Sequence, residues 1–383
     1  MPESIRRLDA IGAVNDDGHR VLSDELFLNR PAEISMRIAQ VAPLMEAVPP
    51  KLYGGSERIV AYLCDELTAL GHNVTLFATG DSSVECRVSA VWPCALRLDT
   101  SISDYLAPHV VLLEAVARRA EEFDVIHSHV DYLGYPLLRR AGVPFLTTLH
   151  GRLDLPILQH IYKVFDVPVV TISDAQRGPV PQANYLATIQ HGIPERLLLP
   201  AFGAGGYVAF LGRISPEKAP DAAIRIAQRA GMPIRIAAKV DQVDRDYFEQ
   251  VVKPLLGLPG VEFLGEIGDD QKAEFLGNAT ALLFPIAWAE PFGLAMIEAM
   301  ACGTPVIAFR RGSVPEIVDE GLTGFIVTNE EEAAQAAGAV SRLDRARVRR
   351  VFEERFTARR MAENYLNVYR RLIARDQPLR EAV

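Results

Sequence analysis

From Met36 onward the chain alternates short apolar runs with segments whose apolar residues fall at helical spacing. RIAQVAP reads as a strand. A loop ending Tyr53-Gly54-Gly55-Ser56 comes next. SERIVAYLCDELTALG then puts Ile59, Val60, Leu63, Leu67 and Leu70 on one helical face, closes at Gly71, and leads into the strand VTLFATG. A strand–helix–strand unit of this kind predicts parallel pairing with a right-handed crossover. Further runs at DVIHSH (124–129), PFLTTLH (144–150), PVVTIS (168–173) and LATIQHGI (186–193) suit strands buried on both faces of a parallel sheet. LLLPAFGAGG (197–206) breaks the rhythm with Pro and Gly and marks a domain boundary. A second series then begins: YVAFLGR (207–213), IRIAAKV (234–240), VEFLGEI (261–267), ALLFPI (281–286), PVIAFRR (305–311) and GFIVT (324–328). Near the end, Phe356, Met361, Tyr365, Tyr369 and Leu372 recur at helical spacing and predict a helix packed across a domain surface.

The expected fold class is α/β, with two facing Rossmann-like doubly wound domains and the active site in the cleft between them. Residues 1–35 form an N-terminal extension, 36–200 the first domain, 201–354 the second, and 355–383 a crossing helix and tail. A length of 383 residues fits two domains, since single cores stop growing near ~250–300 residues. The formal net charge of −9 argues against broad nucleic-acid binding and gives no support for docking on an anionic membrane. The four cysteines, Cys64, Cys86, Cys94 and Cys302, show no metal-site spacing and read as buried thiols of a reduced, cytoplasmic protein. No run is long and apolar enough for a membrane span, and the first residues lack the apolar stretch of a signal peptide.

Ligands of open parallel sheets bind beyond the carboxyl ends of the strands, so the residues just after each strand are the candidates. Gly54 and Gly55 come after the first strand and open a helix whose unpaired N–H groups suit an anion, although a plain turn explains the same string. His150 ends PFLTTLH, at the cleft. His127 and His129 read as structural hydrogen-bonders, and Ser173-Asp174 as a helix cap. Arg213 ends YVAFLGR, and Lys218 lies five residues on, within GRISPEK. Ser215-Pro216-Glu217 reads as a helix start, which puts Lys218 in a first turn where the dipole disfavours a cation unless an anion is bound. Asp244 and Asp246 read as a solvated face, and Gly203 to Gly206 as linker. After ALLFPI, Glu290 lies in a loop, Pro291-Phe292-Gly293 turns the chain, and an all-apolar helix carries Glu298. A carboxylate in such a helix needs a partner, either one buried ion pair or the hydroxyls of a ligand. Cations and amides suited to phosphate, beside carboxylates suited to hydroxyls, describe a sugar-nucleotide site.

With these strings in this order, the chain from about Met36 to Tyr369 resembles a family 4 glycosyltransferase of the GT-B fold. EPFGLAMIE, 290–298, matches the family's E-x7-E motif. GRISPEK is similar to its G-R-x4-K phosphate loop, YGGSER to its amino-terminal glycine loop, and SVPEIVDEGLTGFIV to the segment after the E-x7-E helix. The resemblance implies a retaining, hexosyltransferase-type transfer from a nucleotide-sugar donor, UDP- or GDP-linked, to an acceptor that is a sugar, a lipid-linked sugar or a small molecule. It implies no metal and no other cofactor. Carried over by residue, Glu298 would bind the donor ribose and Glu290 the hydroxyls of the transferred sugar. Amides around Phe292, Gly293 and Leu294 would touch sugar and phosphate. Arg213 and Lys218 would hold the diphosphate, His150 would lie near the reacting carbon, and Gly55 by the phosphates or the acceptor. Ala219 replaces a glycine that often comes after the lysine, and HGIP (191–194) departs from the usual N-G-V, which leaves the role of His191 open.

Breaking the anomeric C–O bond puts negative charge on the diphosphate, where Arg213, Lys218 and helix N-termini would act. No carboxylate is an obvious nucleophile, so the expected course is same-face attack with the departing phosphate taking the acceptor's proton. A nucleotide-sugar epimerase or a phosphorolytic enzyme on the same architecture is the alternative, separated by product analysis. A non-catalytic sugar-nucleotide sensor is the alternative of a different class, separated by donor hydrolysis.

Overall fold

The computed structural model describes residues 35–51, 54–203 and 205–380. The expected extension therefore lies outside the described residues except for Ser35, as do Tyr53 of the glycine loop and Ala204 of the linker. From Met36 onward the chain forms one compact unit that contains two sheets.

The first sheet has β1 (Arg37–Val41), β2 (Asn73–Thr79), β3 (Arg87–Trp92), β4 (Val125–Ser128), β5 (Phe145–Thr148), β6 (Val169–Thr171) and β7 (Tyr185–Thr188) in the order β3-β2-β1-β4-β5-β6-β7. The second has β8 (Val208–Arg213), β9 (Ile234–Lys239), β10 (Val261–Gly265), β11 (Ala281–Phe284), β12 (Val306–Phe309) and β13 (Gly324–Val327) in the order β10-β9-β8-β11-β12-β13. Neighbours in both sheets run parallel; Ile38, for example, stands opposite Val74 on one side and Val125 on the other. Each strand order reverses once, between β1 and β4 and between β8 and β11, and these reversals open the crevices where ligands bind such sheets.

Central strands are apolar on both faces because helices cover both, and Ile38, Val41, Val125, Ile126, Leu282 and Ile307 are buried. The strand absent from the sequence reading is β3. It lies at the sheet edge, is only partly buried, and has Arg87 and Ser89 interrupting its apolar positions.

The segment read as linker is pinned in place. Buried Arg349 donates to the carbonyls of Glu195, Leu198 and Ala301, and Arg345 donates to those of Ala201, Gly203, Gly277 and Gly303. The chain then returns to the first sheet. The peptide at Ile193 exchanges hydrogen bonds with Phe356 and Ala358, and the Ala358–Arg380 helix packs on the Gly55–Ala69 helix. Gly192 makes this crossing possible, because a Cβ there would lie 2.2 Å from the Thr357 carbonyl oxygen. Tyr365 and Tyr369 of the returning helix are buried against β1, β4 and β5 through Gln40, His127 and Thr148.

Candidate active site

A cavity of about 440 Å³ lies at the carboxyl ends of both sets of strands. The first sheet and its connections contribute Gly55, Arg58, His150 and His191, and the second contributes Arg213, Lys218, Lys272, Glu290, Phe292, Gly293, Leu294 and Glu298. Every site residue expected from the sequence therefore lines one cavity, and His191 joins them.

The loop before the Leu294–Ala301 helix is built to hold Glu290. Gly293 takes φ +85°, and a Cβ there would press to 2.9 Å on the Phe284 ring. Ser313 fixes the loop from below, its N–H donating to the Glu290 carbonyl and its hydroxyl to the Phe292 carbonyl at 2.7 Å. This is the structural use of the SVPE string. The Glu290 carboxylate accepts from the Trp288 indole at 2.8 Å and is ion-paired with Lys218. The Lys218 ammonium also stands 5.5 Å from the Trp288 ring centroid.

Two expectations about the surroundings of Arg213 and Lys218 change. The helix begins at Pro220, not Pro216; Ser215 to Lys218 form a turn closed by the Lys218 N–H to the Ser215 carbonyl. Lys218 is therefore outside the helix, free of the dipole penalty a first turn would impose. Ala219 makes the junction in the left-handed region, at φ +50°. Asp244, read as solvated, is only 12% exposed and pairs with Arg213 at 3.4 Å, with Asp241 on the other side at 3.8 Å. Burial raises the Asp244 carboxyl pKa, with Arg213 opposing. Asp246 is exposed.

Glu298 has a protein partner. Lys272 Nζ lies 2.7 Å from Glu298 and 3.0 Å from Asp269, and Asp269 is in turn paired with Arg58. Burial alone would lower the Lys272 pKa, but Glu298 and Asp269 outweigh it and raise it. Burial likewise opposes ionisation of Asp269, yet Lys272 and Arg58 bring its pKa below the usual value. Arg58 belongs to the Gly55–Ala69 helix and Asp269 to the Asp269–Gly277 helix, so the charge row joins the first-sheet side of the cavity to the second. Sequence reasoning missed Lys272, Asp269 and Arg58. Lys272 lies just beyond the strand VEFLGEI, so the strand-end rule applied to β10 would have reached it.

The histidines form a buried row. His127 bonds Tyr369 and Thr148, and His129 bonds Gln40 and His150. Both take the structural role expected of them. His150 and His191 stack with ring centroids 5.2 Å apart, and Phe292 meets His191 edge-on. Burial lowers the His150 pKa to about 4, and burial, then the neighbouring His150, hold His191 well below the ordinary value. Both rings are thus neutral near pH 7. Ser173 caps the next turn through the Gln176 N–H, as a cap should, and the Asp174 and Ala175 N–H groups donate to Glu316 of the second series.

Two facing Rossmann-like sheets that share one polar cleft are the architecture of a GT-B enzyme. Residues 201–359 match the family model described as Glycosyl transferases group 1, and residues 53–176 match the model described as Glycosyltransferase Family 4. The D-inositol 3-phosphate glycosyltransferase of Streptomyces coelicolor is 32% identical over 399 residues, covering 82% of this chain and 84% of that protein. Among solved structures, sucrose-phosphate synthase from Thermosynechococcus elongatus superposes with a TM-score of 0.74 at 20% identity, covering 88% of this chain and 99% of that one. HepE of Anabaena, solved in complex with UDP and glucose, superposes with a TM-score of 0.66 at 20% identity, covering 87% and 98%. The chain belongs to glycosyltransferase family 4 and is a glycosyltransferase of the GT-B fold.

Proposed function

We propose that this enzyme moves a sugar, with retention of anomeric configuration and without a metal, from a UDP- or GDP-linked donor to an acceptor in the same cleft. The observation that carries the reading is the convergence of Arg213, Lys218, Glu290 and Glu298 with Phe292, Gly293 and Leu294 on one cavity. The two carboxylates suit hydroxyls, and the cations and the start of the Leu294–Ala301 helix suit a diphosphate.

The pairing pattern fits such a donor. Lys218 is held by Glu290, and Arg213 by Asp241 and Asp244. A diphosphate placed at the helix start offers both cations a stronger partner, and Glu290 then turns to the sugar hydroxyls. As the bond from the anomeric carbon to the phosphate oxygen breaks, the charge that develops on the phosphate is stabilised by the cations and helix start the diphosphate has already engaged. The acceptor oxygen bonds to the same carbon from the same face, and its proton passes to the departing phosphate. His150 is neutral and serves as a hydrogen-bonding wall beside the reacting carbon, not as a proton donor.

HepE's bound UDP and glucose make UDP-glucose the first donor to try, and the name of the Streptomyces coelicolor relative makes D-inositol 3-phosphate the first acceptor. A thermal-shift panel of UDP-, GDP- and ADP-sugars, in EDTA, tests the donor half. A UDP- or GDP-sugar should raise the melting temperature of the natural protein but not of Glu298→Ala. If none of the panel shifts it, the donor assignment is wrong. Proton NMR of the product then reads the anomeric configuration, and an inverted linkage would overturn retention.

A further inference from the structure

The row of buried polar groups behind His150 carries directional information that the proposed chemistry does not use. Gln40, on β1, is fully buried between two partners. Its Nε2 donates to the Tyr369 hydroxyl at 3.2 Å, and its Oε1 lies 2.8 Å from His129 Nε2. An amide oxygen only accepts, so His129 Nε2 carries the hydrogen. His129 is neutral, since burial and its histidine neighbours hold its pKa well below the ordinary value. A neutral imidazole has one N–H and one lone pair, so His129 Nδ1 is an acceptor. That atom lies 2.9 Å from His150 Nε2, which must therefore be the donor. His150 is neutral too, so its Nδ1 is left bare, and it has no hydrogen-bond partner among the described residues.

We propose that Gln40 sets the tautomer of His150 through His129, so that the cavity histidine meets substrate with Nδ1 as a hydrogen-bond acceptor. Gln40, His129 and Tyr369 are thus positioning residues; the part concerning substrate rests on the reading of the cavity as a sugar site.

The same amide orientation carries through to the far end of the row. Tyr369 accepts from Gln40 and so donates to His127 Nδ1 at 2.7 Å; His127 Nε2–H then donates to Thr148 at 2.7 Å, whose hydroxyl shares a hydrogen bond with that of Tyr365 at 2.8 Å. Turning the Gln40 amide over would put an N–H against His129 and reverse every donor between Gln40 and the cavity. His150 would then present Nδ1–H, a donor, to whatever binds there. The returning C-terminal helix, which supplies Tyr369, thereby acts on the cleft along the sheet face that it covers. An acceptor nitrogen takes a hydrogen bond from a sugar hydroxyl and leaves that oxygen's lone pairs for other donors; a donor nitrogen would compete with them.

The test is a long-range proton–nitrogen NMR spectrum of protein labelled with ¹⁵N-histidine, with His150 and His129 assigned from His150→Gln and His129→Gln. The expected result is a protonated, pyrrole-type Nε2 and a bare, pyridine-type Nδ1 for His150, and the same for His129. A protonated Nδ1 on His150 overturns the proposal. In Gln40→Leu, His129 loses its acceptor, and His150 should show both tautomers in exchange; an unchanged His150 pattern also overturns it. Should Gln40→Leu fail to fold, Tyr369→Phe gives the second arm, since it removes the hydroxyl that the Gln40 N–H pairs with and frees the amide to turn. The functional part is read from turnover with the donor found by the thermal-shift panel, where kcat should fall about tenfold with the donor KM little changed. A tautomer that shifts as expected while kcat stays at the natural value supports the role of Gln40 and refutes the contact between His150 and substrate.

Discussion

Lys272 Nζ stands 2.7 Å from the Glu298 carboxylate, and both side chains are about nine-tenths covered. A lone charge at this depth is costly, and the pairing offsets that cost for both partners. Removing one partner of a buried pair costs about 3–5 kcal/mol, largely because the other charge is stranded. Lys272→Met should therefore destabilise the enzyme by about 3 kcal/mol in urea denaturation. The double variant Lys272→Met/Glu298→Gln should recover most of that loss, because the stranded charge is gone. Donor binding should stay impaired in both. A double variant no more stable than Lys272→Met would show that the pair is not the source of the cost.

Lys218 and Glu290 form the second pair in the cavity, and here the partners should separate functionally. Lys218→Ala removes a cation from the place where leaving-group charge develops, a loss of about 10²–10³ in kcat by analogy with other preorganised donors. It should weaken binding of free UDP or GDP as well. Glu290→Gln should leave nucleotide diphosphate binding as tight as before or tighter, since Lys218 no longer has a competing carboxylate, while turnover falls about 10²-fold. Calorimetry with the free nucleotide distinguishes the two. An equal loss of affinity in both variants contradicts the division of roles.

The histidine row predicts how stability depends on pH. The unfolded chain binds protons on its histidines near pH 6.5, whereas burial delays His150 to about 4 and holds His127, His129 and His191 well below the ordinary value. The unfolded state therefore takes up protons first as the pH falls. The stability associated with neutral histidines is complete above about pH 6.5 and drains away as the pH falls below it, for His150 down to about pH 4. For His150 alone the shift corresponds to roughly 3 kcal/mol. Asp269, held low by Lys272 and Arg58, adds a separate loss beginning nearer its ordinary value of 3.8. Urea midpoints measured across this range should fall steadily from neutral pH downward, and less steeply in His150→Gln. A flat profile between pH 6.5 and 5 would mean that the row is open to protons in the folded state.

Much of this site was legible because doubly wound sheets put ligands at strand ends, so Arg213, His150 and Glu290 stood out at or just beyond the ends of YVAFLGR, PFLTTLH and ALLFPI. The identity of the Glu298 partner was not, although the need for one was. Glu298 and Lys272 are far apart in sequence, and only the packing of the Asp269–Gly277 helix beside the Leu294–Ala301 helix brings them together. Asp244 was misread for the same reason. An acidic string in a polar segment looks solvated until Arg213 at the end of another strand is seen to lie against it. Gln40 carried no signal at all, being a polar residue inside an otherwise apolar strand whose partners come from just beyond β4 and from the last helix. The helix start at Pro220 instead of Pro216 reflects a local ambiguity: both prolines suit a first helical position, and the turn that seats Lys218 takes the first.

Ala219 makes the joint between that turn and the Pro220–Ala230 helix at φ +50° and ψ +55°, in a region where a Cβ crowds the backbone. Its side chain is buried, and the Ala219 N–H donates to the Ser215 carbonyl, so the conformation is fixed from both sides. Replacing alanine by glycine usually destabilises by enlarging the unfolded ensemble, but at a left-handed position relief of the local clash has the opposite sign and is the larger effect. Ala219→Gly should therefore raise stability by about 0.5–1 kcal/mol. Ala219→Val, which adds branching at the crowded atom, should lower it and pull Lys218 away from Glu290. Thermal melts check the first half. Calorimetry with UDP or GDP checks the second, because a displaced Lys218 weakens diphosphate binding even where the fold persists. If Ala219→Gly melts below the natural protein, the left-handed turn is not where the strain of this loop is held.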